Sequence, residues 1–187
     1  MKNQLLIAAY EYISKGICVI PTNENKIPCI EWKKYQDTLI TIEQAEEGFE
    51  KPYAKSLSVV CGKSSHNLEV IDIDTKYDLT GKLFDSYMQD IADNENDLAN
   101  SLLIIQTRSG GYHMYYHCDN IQGNQKLAQR PASPTELQEN PNDKIRVLIE
   151  TRGQGGYVVA PPSAGYKIVR GDAIPTITAD QRDILLE

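Results

Sequence analysis

The stretch VIDID, Val70–Asp74, sets two carboxylates two positions apart in a run of β-branched residues. In a strand, residues i and i+2 point to the same side. The spacing therefore predicts Asp72 and Asp74 side by side, with Ile71 and Ile73 buried behind them. Like charges held that close repel each other, and a divalent cation between them is the simplest remedy. The plainer alternative is a strand end entering a polar loop, with Asp74 capping the next element.

Two further stretches carry chemistry. In TRSGGYHMYYH, Thr107–His117, Gly110 and Gly111 follow an apolar strand and predict a tight turn that lets a ligand approach the backbone. Arg108 and Ser109 flank that turn. Alternation then puts His113, Tyr115 and His117 on one face of the returning strand, and Tyr112, Met114 and Tyr116 on the other. His113, beside the turn, is placed to meet a phosphate, whereas Tyr115, Tyr116 and His117 read as cross-strand packing. In VLIETRGQGGYVVAPPS, Val147–Ser163, Glu150 sits beside apolar Leu148 and Ile149, with Arg152 two residues on and on the same face. GQGG is no dinucleotide fingerprint, since a strand rather than a helix follows it. Gly153, Gly155 and Gly156 read instead as a turn built for close approach. Three carboxylates on two strands, a histidine beside a turn and arginines near glycines suit two-metal phosphoryl transfer.

The elements that must hold these residues are legible in outline. Leu5, Leu6, Ala9, Tyr12 and Ile13 recur at helical spacing over about residues 3–15, and Gly16 is placed to stop that helix. ICVIP at 17–21 reads as a short buried strand, followed by a polar loop with Lys26 and the single tryptophan, Trp32. Thr41 and Gln44 form a capping-box pattern for a helix to about Phe49. Further strands are predicted at 56–62, 101–107, 112–118, 146–152 and 156–162, with a helix around 83–92. Between Asp119 and Asp143 lies a stretch rich in Asn, Gln and Pro without hydrophobic periodicity, expected to be mobile or functional. Strands and helices without strict βαβ alternation indicate an α+β or mixed α/β sheet.

A chain of 187 residues suits one domain, with room for two lobes and a real core. Its N-terminus lacks the pattern of a secretory signal and no apolar run reaches membrane-spanning length, which predicts a cytoplasmic protein with no membrane partner. Cys18, Cys29, Cys61 and Cys118 are scattered without a CxxC pair, so reduced thiols are expected rather than a zinc site.

In this order, GICVIP, NKIPCIEW, VIDID, SGGYHMYY and IETRGQGGYVVAPPS resemble the landmarks of the bifunctional primase–polymerase (Prim-Pol) domain of the archaeo-eukaryotic primase superfamily, from about Ala8 to Tyr166. The resemblance implies an RRM-like mixed sheet carrying the catalytic carboxylates, beside an N-terminal α/β lobe. It implies a catalytic domain over 1–175, with 176–187 starting a linker or helix toward a C-terminally fused superfamily 3 helicase. By the same resemblance Asp72, Asp74 and Glu150 would hold two Mg²⁺ or Mn²⁺ ions. His113, with Ser109 and the Gly110–Gly111 turn, would contact a nucleoside triphosphate, and Arg108, Arg152 and Lys26 would neutralise it. The reaction implied is template-directed nucleotidyl transfer on single-stranded DNA or a primer–template, in replication of a plasmid, phage or other mobile element. One residue departs from the family pattern: Glu150 stands where an aspartate is usual. The rival readings are a metal-dependent nuclease or phosphohydrolase, and a catalytically inactive nucleotide- or DNA-binding module. A His-hydrophobic-His nickase is disfavoured because His113 and His117 lie four apart.

The net charge of −7 leaves little basic surface for phosphates. Single-stranded DNA should therefore bind these residues salt-sensitively, with Kd about 1 μM or weaker. Fluorescence anisotropy checks this, and nanomolar binding at physiological salt would reveal a concentrated basic groove.

Overall fold

The computed structural model describes residues 2–187. Helix α1 (Lys2–Ser14) is stopped at Gly16, whose φ of 74° favours glycine. Strand β1 (Val19–Thr22) follows, and α2 (Ile42–Phe49) opens with the expected capping box of Thr41 and Gln44. Strands β2 (Ser56–Val60) and β3 (Leu68–Ile73) come next. Helix α3 (Leu83–Ser101) runs beyond its expected end and is broken at Glu95, where φ is −152°. Strands β4 (Leu103–Gln106) and β5 (Tyr112–His117) form the predicted hairpin.

The stretch between Asp119 and Asp143 is not a structureless connection. It folds into β6 (Lys126–Pro131) and α4 (Pro134–Glu139). β6 is an edge strand with two register shifts and little burial, so no alternation marks it in the sequence. α4 starts with a Ser133–Glu136 capping box and Pro134 in its first turn, and Arg130 clamps Glu136 with two bonds of 2.8 Å. Strands β7 (Ile145–Arg152), β8 (Tyr157–Ala160) and β9 (Lys167–Arg170) precede α5 (Ala179–Leu186).

Three strands form a small sheet in the order β1-β2-β8, and six form a larger one in the order β6-β7-β3-β5-β4-β9. Every strand pair is antiparallel, so the sheet expected to be mixed is not, and the fold is α+β. The central strands of the large sheet are buried on both sides, and alternation sorts their side chains. Leu68, Val70, Leu103, Ile105 and Tyr115 join the core shared with α1, α2 and the small sheet. Ile71, Ile73, Ile104, Met114, Tyr116 and Ile149 pack in the core beneath α3 and α5. All four cysteines are free thiols; Cys18, Cys61 and Cys118 are buried, and Cys29 is half-buried. Among the described residues, no helix is long and apolar enough to cross a membrane.

Besides Asp72, a second carboxylate breaks the apolar pattern of β3. Glu69 is wholly buried and receives Arg182 Nε of α5 at 2.6 Å, Arg182 Nη2 at 3.0 Å and the Tyr116 hydroxyl at 2.6 Å. Arg182 also reaches Gln125 Oε1 at 3.3 Å, so the C-terminal helix is tied to the strand that carries Asp72. A buried pair gives little net stability while whole, because desolvation offsets attraction, but breaking it strands a charge. Arg182→Met should therefore cost about 3–5 kcal/mol in chemical denaturation. Adding Glu69→Leu should recover part of that loss.

Candidate active site

β3 runs between β5 and β7, and its register sets Asp72 directly across from His113 on one side and Glu150 on the other. His113 is nearly buried and directs Nε2 to Asp72 Oδ1 at 3.5 Å. Its ring lies between those of Tyr115 and Tyr166, with centroids 6.2 and 6.0 Å away, and its Nδ1 is buried without a partner among the described residues. Arg152, two residues beyond Glu150, brings Nη2 to 3.7 Å from Asp72 Oδ2 and into a short ion pair with Glu150 Oε1. The guanidinium thus occupies the place between two carboxylates where charge balance demands a cation.

Asp74 does not share the strand with Asp72. β3 ends at Ile73, and Asp74 caps the 3-10 turn Thr75–Tyr77, accepting from the Lys76 N–H at 3.3 Å and pairing with Lys76 Nζ at 2.8 Å. The plainer alternative raised from the sequence is what the chain does locally. Asp74 still lies near enough to Glu150 to disfavour its charge.

The two facing carboxylates are poised oppositely. Burial works against the Asp72 charge, but contact with His113 and the fields of Arg152 and Lys26 outweigh it and hold the carboxyl below its ordinary range. For Glu150, burial leads, Asp72 and Asp74 reinforce it, and Arg152 and Lys126 offset it incompletely, so its carboxyl is pushed up.

A cavity of about 230 Å³ opens over Asp72, with Asp74 and Glu150 outside its wall. Lys26, Asp72, His113 and Arg152 line it with Gly155 and Gly156 of the expected close-approach turn, together with Asn124, Tyr157 and Tyr166, which the sequence reading did not single out. Asn124 lies in an unpatterned loop that gave no signal. Its Oδ1 accepts from the Gly153 N–H at 3.2 Å, and a Cβ at Gly156 would meet that oxygen at 2.6 Å. A larger cavity of about 640 Å³ lies beneath α1, lined by side chains such as Ile7, Leu103 and Ile168, and contains none of the three carboxylates.

The remaining expected residues sit outside the cavity wall. Ser109 and Gly110 form the tip of the β4–β5 turn, where the Ser109 hydroxyl meets that of Thr107 at 3.2 Å. Gly111 lets that turn close on β3, since a Cβ there would come within 2.3 Å of the Ile73 carbonyl oxygen. Arg108 is exposed and packs against Gly165, its Nη2 3.5 Å from the Glu24 carbonyl oxygen. His117 lies at the far end of β5, its Nδ1 3.0 Å from the His66 carbonyl oxygen.

The donor set of Asp72, Asp74 and Glu150 is all carboxylate oxygen, the chemistry that suits Mg²⁺ or Mn²⁺. Among the described residues, however, no three acidic, histidine or cysteine side chains converge tightly enough to hold one ion in this arrangement. Arg152 and Lys76 satisfy the carboxylates instead.

A family model described as bifunctional DNA primase/polymerase, N-terminal, matches residues 9–180. That span is nearly the whole chain, and the chain belongs to this family. No curated protein gives a significant match.

Opposite electrostatics at Asp72 and Glu150 yield opposite stability effects. The stabilisation from Asp72 is complete above the ordinary carboxylate pKa of about 3.9 and is lost as pH falls through its lower folded value. The Glu150 charge is a cost at neutral pH, and that cost vanishes as pH falls through its raised folded value to about 4.3. In metal-free protein at about pH 7, well above the ordinary carboxylate values, Asp72→Asn should lower the melting midpoint and Glu150→Gln should raise it. Thermal melts repeated toward pH 4, near the ordinary carboxylate values, should show the Glu150→Gln gain disappearing.

Proposed function

We propose that this member of the bifunctional DNA primase/polymerase family catalyses template-directed nucleotidyl transfer at the cavity over Asp72. The observation that carries the reading is the register of β3, which pairs Asp72 with both His113 and Glu150 beneath Lys26 and Arg152. The strand order β7-β3-β5-β4, reached in the chain as β3-α3-β4-β5 and then β7, supports the RRM-like arrangement expected of such a domain.

In this reading Lys26 and Arg152 supply the positive charge that receives a triphosphate, and His113, on the cavity wall beside Asp72, contacts its phosphates. Arg108, Ser109 and the Gly110–Gly111 turn form an outer rim for the same ligand. Asp72, Glu150 and Asp74 are the residues that would hold Mg²⁺ or Mn²⁺. When bound, such ions polarise the phosphoryl oxygens and favour the deprotonated attacking hydroxyl. With the carboxylates so neutralised, the charges of Arg152 and Lys76 would be free to serve the phosphates. The attacking 3′-hydroxyl forms a bond to the α-phosphorus as the bond to pyrophosphate breaks, with most of the acceleration coming from charge and positioning.

Primer extension with Mn²⁺ and labelled deoxynucleotides tests the reading. Incorporation should follow the template, and Asp72→Ala should reduce it by about 10³-fold or more while the protein stays folded. His113→Ala should weaken triphosphate binding and leave divalent-ion binding in place, which calorimetry separates. Template-independent phosphate release would favour a nuclease or phosphohydrolase. Triphosphate binding without turnover would favour a nucleotide-binding module.

A further inference from the structure

Lys26 holds a backbone conformation that its side chain disfavours. Its φ is 63°, in the left-handed region where a Cβ crowds the backbone. Part of the restraint is local: the Asn23 side chain accepts from the N–H groups of Asn25 at 2.9 Å and Ile27 at 3.0 Å, and the Lys26 N–H reaches the Asn23 carbonyl at 3.0 Å. The Asn23 N–H also closes the loop on the Ile27 carbonyl at 2.9 Å, and from 131 residues away the Tyr157 hydroxyl donates to the Lys26 carbonyl itself at 3.0 Å. Tyr157 is itself a rigid anchor. It lies on β8, paired to Val60 of β2, and its ring meets Trp32 edge-on with centroids 4.9 Å apart. Lys26 and Tyr157 both line the cavity over Asp72, and the Lys26 charge helps to hold the Asp72 carboxylate ionised.

We infer that Tyr157 is a positioning residue that acts through Lys26: its hydroxyl locks the strained lysine so that the ammonium is presented to the polyphosphate of the incoming nucleoside triphosphate. The inference rests on the nucleotidyl-transfer reading of the cavity. A lysine on a mobile loop must have both its main chain and its side chain ordered when the ligand binds, and fixing the main chain beforehand removes part of that cost. The hydroxyl therefore contributes to triphosphate affinity without touching the reacting atoms.

Tyr157→Phe keeps the ring against Trp32 and removes only the donor. Titration of the full chain with a fluorescent nucleoside triphosphate and Mn²⁺, alongside steady-state primer extension, should show Kd and KM raised about fivefold. kcat should stay within roughly twofold of the parent value. Lys26→Ala should weaken binding further, and Tyr157→Phe added to Lys26→Ala should have no additional effect, because the hydroxyl works only through the lysine. Parent-like binding by Tyr157→Phe, or the same loss in the Lys26→Ala background, would overturn the inference and leave the nucleotidyl-transfer reading standing. Absence of triphosphate binding by the unmodified chain would overturn both.

Discussion

The site depends on one register. Because β3 is paired antiparallel on both edges, Asp72 stands across from His113 and Glu150 at once. A slip of one residue would turn Asp72 under α3 and put Ile71 into the cavity, since side chains alternate with a period of two. Several contacts oppose that slip. Ile71 and Ile73 are fully buried, the Asp74 N–H bonds the Leu148 carbonyl at 2.8 Å, and Gly111 closes against Ile73. The Glu69–Arg182 bridge adds a further check, because a slipped Glu69 would lose its charged partner in a buried setting.

Within that frame the charges are arranged unevenly. Asp72 has three cationic or polar neighbours in His113, Arg152 and Lys26, whereas Glu150 shares Arg152 and faces two other carboxylates. From the sequence, repulsion was expected to fall on the VIDID pair. The structure moves it to Glu150, because Asp74 leaves the strand and finds Lys76. Two carboxylates on facing strands with their affinities for protons driven apart is a pattern that separates roles within one site. Arg152 is the hinge of that balance, since it touches both.

What could be read beforehand followed local signals. β3, the β4–β5 hairpin and the Thr41–Gln44 cap each have a pattern within a few residues, and Lys26, Asp72, His113 and Arg152 do converge. Alternation says which side chains share a face but not where pairing stops, so the sequence offered both a shared strand and a capping Asp74 without deciding between them. β6 escaped notice because an exposed, bulged edge strand needs no apolar alternation. The Tyr157–Lys26 bond spans 131 residues and Asn124 meets Gly156 across a loop; only the folded chain brings such groups together.

The distribution of thiols gives the molecule a ready-made handle. Three of the four cysteines are shut inside the two cores, so a maleimide dye on the native protein has one partly open target, Cys29. That sulfur lies within 4.0 Å of the Ile27 carbonyl and 3.8 Å of the Tyr53 carbonyl, on the loop that carries Lys26. A fluorophore attached there would sit three residues from Lys26 without any engineered substitution. Its emission would then report optically, in real time, on the movements of that loop.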